Sequence, residues 1–339
     1  MNLQRICLTV SALGLAATAA HATPISGPRS VGSFFSSDDG ASHAIVANTN
    51  GDVFEAYWWD NGGLGSSVIA HFNNIAAVSA FYSPWDAYRH AIVALHNGQL
   101  WDVRYNPCCG ITPTLLTTLS GWGDIKSISA WTDPQRRTNI AFLTHWGTSD
   151  ALAVYQQGGS TPTSTNIIKF YPNDSAIDVA GQHEIWNATS MVTVATGSPT
   201  RLEQFAWADS HTPDWETQIS SPPWATQFPS GQPAETVVSL AASDQKCFSC
   251  AFGAVEQIDL LTTANVQQSY NVNNGGGQLY NDWTFTYGPQ VRSVADPFMS
   301  NVVGRNTLVM MSNGDVWDMT TTDTATYPPR WSFRKIGTF

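Results

Sequence analysis

The chain has 339 residues, 42% hydrophobic and 12% charged. That is enough apolar residue for a sizeable core, with about half the charge of an average domain. A formal net charge of -11 argues against nucleic acid as a partner, which needs a basic stripe.

Taken in order, residues 1–22 read as a secretory signal. Arg5 gives the charged start, Ile6–Ala20 the apolar run and Ala20-His21-Ala22 a small-x-small cleavage site. The run is too short to span a bilayer and no later stretch qualifies. Residues 23–339 are therefore expected to form a single domain, secreted or periplasmic, with no membrane span.

From Ser30 onward, short apolar runs separated by turn residues follow one another to the end of the chain. The first group holds Ser30–Ser36, a run opening at His43, Val53–Trp59 and Ser66–Phe72. The second holds Ala77–Tyr82, His90–Leu95, Leu100–Tyr105 and Thr114–Leu119. Later groups have second strands opening at Asn139, Ser190, Lys246 and Asn306, and third strands opening at Leu152, Leu202, Val255 and Val316. First strands open at Lys126 and Val291, and fourth strands at Asn166, Trp215 and Trp331. Pro222 to Pro233 and Asn273–Gly288 read as loops. Four strands per group and six groups of about fifty residues predict an all-β fold, a six-bladed β-propeller of four-stranded antiparallel blades. No blade is visibly shared between the termini.

The Asn97-Gly98 signal marks the hairpin between the second and third strands. A three-residue loop with Gly98 in the left-handed position puts His90, Ile92, Leu100, Asp102 and Arg104 on one face. His90 then lies opposite Arg104, and Ile92 opposite Asp102. A two-residue loop would split His90 from Asp102, and the residues do not choose between the two. Under the first register, His43 goes with Glu55, His90 with Asp102 and Asn306 with Asp318. The other blades offer Asn139/Val154, Ser190/Gln204 and Lys246/Gln257. Trp58, Tyr105 and Trp207 lie three residues beyond the acidic position or its equivalent.

This layout resembles the six-bladed fucose-specific lectins of the orange-peel-fungus type and their bacterial relatives. In that family an Arg begins the second strand, a Glu lies on the third, and sugars sit between adjacent blades against an aromatic. Here no blade has the Arg at that position, and only Glu55 keeps the Glu. The resemblance implies a carbohydrate-binding protein with several weak sites, for fucose or a related sugar, and no catalytic residue. Its candidate ligand-binding residues are His43, Glu55, Trp58, His90, Asp102, Tyr105, Asn306 and Asp318. The residues support sugar binding independently, since carboxylates and amides suit vicinal hydroxyls and an aromatic face suits a sugar's C–H patch. No cofactor and no metal is expected. The expected partners are glycans or glycoconjugates, with a homodimer left open.

Ser36-Ser37-Asp38-Asp39-Gly40 resembles the start of a sialidase Asp-box, so a secreted glycosidase is one alternative. A periplasmic protein-binding scaffold is another. Glycoside hydrolysis needs two close carboxylates, whereas the acidic residues here read as spread singly over the blades. Cys247 and Cys250, three apart on an expected strand, cannot pair and read as small buried hydrophobes. Cys108-Cys109 reads as a vicinal disulfide or as two free thiols.

Overall fold

The computed structural model describes residues 25, 30–106, 110–159, 162–172, 176–184, 189–196, 201–208, 213, 219–220, 237–245, 255–272, 279–288, 290–295, 298–299, 305–321 and 331–339. The expected signal and all five cysteines lie outside them. All regular structure among the described residues is β, in six antiparallel sheets that follow one another along the chain. Blade 1 is β1 (Val31–Ser36), β2 (Ala41–Ala47), β3 (Asp52–Trp58) and β4 (Leu64–His71). Blade 2 is β5 (Ile75–Ser83), β6 (Tyr88–Leu95), β7 (Gln99–Asn106) and β8 (Gly110–Thr118). Blade 3 is β9 (Ile125–Thr132), β10 (Arg137–Trp146), β11 (Ser149–Gly158) and β12 (Ser164–Pro172). Blade 4 is β13 (Ala176–Glu184), β14 (Thr189–Thr196), β15 (Arg201–Ala208) and β16 (Ile219–Ser220). Blade 5 is β17 (Val237–Gln245), β18 (Val255–Thr262), β19 (Val266–Val272) and β20 (Leu279–Thr286). In blade 6, β21 (Val291–Val294) and β22 (Phe298–Met299) share the inner edge, followed by β23 (Arg305–Met311), β24 (Asp315–Thr321) and β25 (Trp331–Thr338).

This is the predicted six-bladed propeller, with two corrections. In blade 5 the second strand is β18 rather than a run opening at Lys246, and the third is β19 rather than a run opening at Val255. Within Asn273–Gly288, read as loop, residues 279–286 form that blade's outer strand. The misreading has a physical cause. Asn265, not a glycine, takes the left-handed position of the β18–β19 turn (φ 61), and Asn is among the few residues that tolerate it.

The core lies in the seams between blades. Ile45 and Val53 of blade 1 pack on Val78, Ala91, Val93 and Val103 of blade 2. Ile92 and Leu100 of blade 2 in turn pack on Ile128, Ile140 and Phe142 of blade 3. Second strands are therefore buried on both faces and read as unbroken apolar runs. Outer strands such as β8 are largely exposed, and Pro113 on that edge leaves no N–H for another chain to pair with.

Side chains on the innermost strands lace the blades into a ring. Ser79 Oγ accepts from Ala130 N–H (2.9 Å), and Ser129 Oγ from Gly181 N–H (2.9 Å). Asp178 Oδ2 accepts from Leu240 N–H (2.6 Å), and Ser239 Oγ from Val294 N–H (3.2 Å). Blades 2 to 5 thus each satisfy a buried amide of the next. The seam tolerates no extra bulk here, since a Cβ on Gly32 would lie 2.8 Å from Ala80 N and one on Gly181 would lie 2.1 Å from the Trp131 ring. Among the described residues no strand is shared between blades 6 and 1, and side chains bridge them. Arg334 of β25 donates to the carbonyls of Trp59 (3.1 Å), Gly62 (2.9 Å) and Gly63 (3.3 Å) in blade 1.

Ser129→Ala leaves the Gly181 amide buried without its acceptor. The expected loss is about 1–3 kcal/mol in urea denaturation; an unchanged midpoint would contradict the lacing.

Candidate functional site between adjacent blades

The register that the Asn-Gly turn left open is settled by the three-residue loop. Gly51, Gly98 and Gly314 have φ of 93, 81 and 86°, the left-handed conformation such loops require. His90 lies opposite Arg104 and Ile92 opposite Asp102. His43/Glu55 and Asn306/Asp318 stand in the same relation. Each pair faces the following blade. Blade 4 departs from expectation, because its second and third strands are joined by four residues, 197–200, which moves the register by one. Gln204 keeps the place of Glu55, but Met191 rather than Ser190 stands in the place of His43. Ser190 faces blade 3, where its Oγ meets Trp131 Nε1 at 3.4 Å. In blade 5 the equivalent pair is Gln257 and Ser269, not Lys246 and Gln257.

The two histidines sit in matching settings. The His43 ring stacks on Phe34 (centroids 4.8 Å apart), and the His90 ring on Phe81 (4.7 Å). His43 Nδ1 meets Glu55 Oε1 at 2.8 Å, and its Nε2 meets Asp39 Oδ1 at 3.4 Å. His90 Nδ1 meets Asp102 Oδ2 at 3.0 Å, and its Nε2 meets Asp86 Oδ2 at 3.3 Å. Burial alone would lower the His90 pKa, but Asp102 and Asp86 outweigh it and push it up to about 9. At neutral pH His90 is an imidazolium clamped between carboxylates. Burial disfavours ionised Asp86, yet His90, the Ser83 side chain and the Tyr88 amide hold it down at about 2.

The aromatic that follows each acidic position lies not beside it but across the seam, against the acid of the preceding blade. Trp58 Nε1 donates to Asp318 Oδ2 at 3.0 Å. Tyr105 faces Glu55, and burial together with that carboxylate pushes its phenol well above the usual range. Trp58, Tyr105, His43, Glu55, His90, Asn306 and Asp318 are all buried, while Asp102 is partly exposed. The candidate residues therefore gather in three seams, mostly as packed partners of one another.

Seam 1/2 also holds residues that spacing did not single out. The Ser36–Gly40 turn directs Asp38 and Asp39 at Arg89 of blade 2. Arg89 Nη2 lies 2.7 Å from Asp39 Oδ2 and 3.3 Å from Asp38 Oδ2, and its Nη1 lies 3.4 Å from Glu55 Oε1. The acidic residues here are thus clustered rather than spread singly over blades. Burial opposes the ionised form of Asp39, but His43, the Ala41 amide and Arg89 prevail and lower its pKa.

Seam 2/3 is more open. Trp85 is 46% exposed, with its Nε1 donating across the seam to Asp133 O at 3.1 Å. The exposed Arg136 guanidinium lies 5.7 Å from the Trp85 ring. The Asp86 side chain beside it is 39% exposed. Ala87 and Arg136 hold φ of 59 and 63°, a conformation that non-glycine residues adopt rarely and that often accompanies function. Of these residues, Asp39 and Asp86 were legible as a repeated Asp-x-x-x-His spacing before His43 and His90. Trp85 and Arg89 had no repeat to mark them.

In seam 6/1, burial raises Asp318 to about 6 against the pull of Trp58. Two pH windows follow. Unfolded His90 titrates near 6.5, so its stabilisation is fully present below that value and is lost as pH rises through 9. Asp318 starts from 3.8, so its preference for the protonated form contributes fully below 3.8 and is lost as pH rises through 6. Urea denaturation across this range should show both losses, with His90→Gln removing the upper one and Asp318→Asn the lower. Identical profiles for wild type and variants would contradict these assignments.

Neither a family model nor a curated protein matches the chain by sequence. Solved structures do match by fold. The SapL1 lectin, solved in complex with alpha methyl fucoside, gives a TM-score of 0.61 at 12% identity, covering 92% of this chain and 97% of that one. AofleA from Arthrobotrys oligospora gives 0.61 at 10% identity, covering 93% and 88%. The Aleuria aurantia lectin, described as a six-bladed β-propeller with a novel fucose recognition mode, gives 0.61 at 9% identity, covering 92% and 96%. At such low identity the likeness establishes a shared fold, that of the six-bladed propeller.

Proposed function

We propose that this is a secreted or periplasmic glycan-binding protein that holds a sugar at seam 2/3 without transforming it. The observation that carries this is Trp85, an exposed indole pinned across the seam next to the Asp86 carboxylate. An aromatic face can take the C–H patch of a pyranose, and fixed carboxylates can accept from vicinal hydroxyls. His90 keeps Asp86 and Asp102 in place, so the site needs little reorganisation on binding. The fold shared with proteins solved as fucose lectins supports the reading. Fucose or a related sugar is the first ligand to try. The secretory signal expected over residues 1–22 would deliver the protein to where such glycans are displayed.

No catalytic residue is assigned. The carboxylates that cluster in seam 1/2 are engaged by Arg89 and His43, which leaves them poorly placed as an acid and a nucleophile. One shallow site per chain gives weak binding, so strong retention on a dense glycan surface would require several linked copies of the protein.

A glycan array probed with residues 23–339, with free monosaccharide as competitor, tests the reading. Competable binding is expected, and a blank array would favour the protein-binding scaffold. On any hit, Trp85→Ala should weaken binding by roughly tenfold or more, and Asp102→Ala should also weaken it. Unchanged retention by both variants would remove seam 2/3 from the account.

A further inference from the structure

Seams 1/2 and 2/3 share a frame, with Asp39 and His43 in one matching Asp86 and His90 in the other, and one of their differences is the residue that enters from the following blade. Arg89 in β6 and Thr138 in β10 each stand directly before the residue in the place of His43, which is His90 in blade 2 and Asn139 in blade 3. The face carrying Arg89 also carries Ala91 and Val93, which pack on blade 1. The face carrying Thr138 also carries Ile140 and Phe142, which pack against blade 2. Each residue therefore points back towards the acidic pair of the preceding blade, Glu55 for Arg89 and Asp102 for Thr138. A threonine is too short to reach that pair. Arg89 does reach it, and does so as an inserted finger: it is 4% exposed, gripped through its terminal nitrogens, while its buried Nε has no partner. Its guanidinium lies 6.0 Å from the Tyr105 ring.

We infer that Arg89 is a built-in occupant of the ligand position in seam 1/2, and that Asp38, Asp39 and Glu55 form a recess selective for a planar cation. The sugar consequence, that Arg89 closes this seam while Thr138 leaves the next one open, rests on the function proposed above. The recess itself does not.

The test uses Arg89→Thr, which gives seam 1/2 the residue of seam 2/3, and the converse Thr138→Arg. Without Arg89, three carboxylates lose their shared cation, so thermal unfolding should fall by roughly 5 °C or more. Methylguanidinium chloride at about 10 mM should restore much of that loss in Arg89→Thr and leave wild type unchanged. Tetramethylammonium, equally charged but without N–H groups, should not. If Arg89→Thr folds poorly, its refolding yield with and without methylguanidinium gives the same readout. Equal effects of the two cations, or none from either, would overturn the inference.

Methyl α-L-fucoside titrations read the second half. Arg89→Thr combined with Asp38→Trp, which supplies the counterpart of Trp85, should raise the number of sugar sites by about one, and Thr138→Arg should abolish the site at seam 2/3. Unchanged stoichiometry in both, with wild type binding, would refute the closure of seam 1/2 by Arg89. Selective rescue by methylguanidinium with no sugar bound by any variant would uphold the recess and sink the sugar reading instead.

Discussion

The ring depends on a requirement repeated from blade 2 to blade 6: an innermost strand must find an acceptor for a buried amide of its neighbour. Ser79, Ser129, Asp178 and Ser239 supply those acceptors. Leaving such an amide unpaired costs more than the bond itself contributes, so the contacts hold the spacing of adjacent blades. With that spacing set, apolar side chains such as Ile45, Ile92 and Phe142 fill the depths of the seams. What remains variable is the polar end, where the first-to-second-strand turns come together.

At that end the protein repeats a geometry and varies its chemistry. Blades 1 and 2 each carry a histidine on a phenylalanine, clamped by a carboxylate four residues earlier and another twelve later. Blade 6 keeps the positions as Asn306 and Asp318, with a neutral amide in the place of the histidine. A single residue from the following blade then decides the character of each of these three seams. Arg89 fills one, Thr138 leaves the next open, and Trp58 covers Asp318 in the seam that closes the ring. The buried charge of Arg89 is tolerated because it is paired with Asp38, Asp39 and Glu55 inside a fixed frame.

Much of this architecture was legible in the sequence, because strand period and turn chemistry repeat locally. Gly51, Gly98 and Gly314 mark three hairpins but leave two registers open, of which the structure takes the three-residue loop. The reading failed where the local signal changed form. Asn265 replaced the glycine in blade 5, and a four-residue connection shifted blade 4 by one. The candidate site was legible as a set of positions and not as an environment. Spacing alone could not show that Trp58 and Tyr105 turn to the preceding blade, or that Arg89 arrives from the next one. Such contacts join residues far apart in the chain, and no local period reports them.

The most direct test is a crystal structure of the protein soaked with a sugar that it retains. The account predicts one ring of the sugar against Trp85, with vicinal hydroxyls towards Asp86 and Asp102 and no sugar in seam 1/2, where Arg89 stays in place. A sugar bound in seam 1/2 with Arg89 displaced, or bound away from Trp85 altogether, would contradict it.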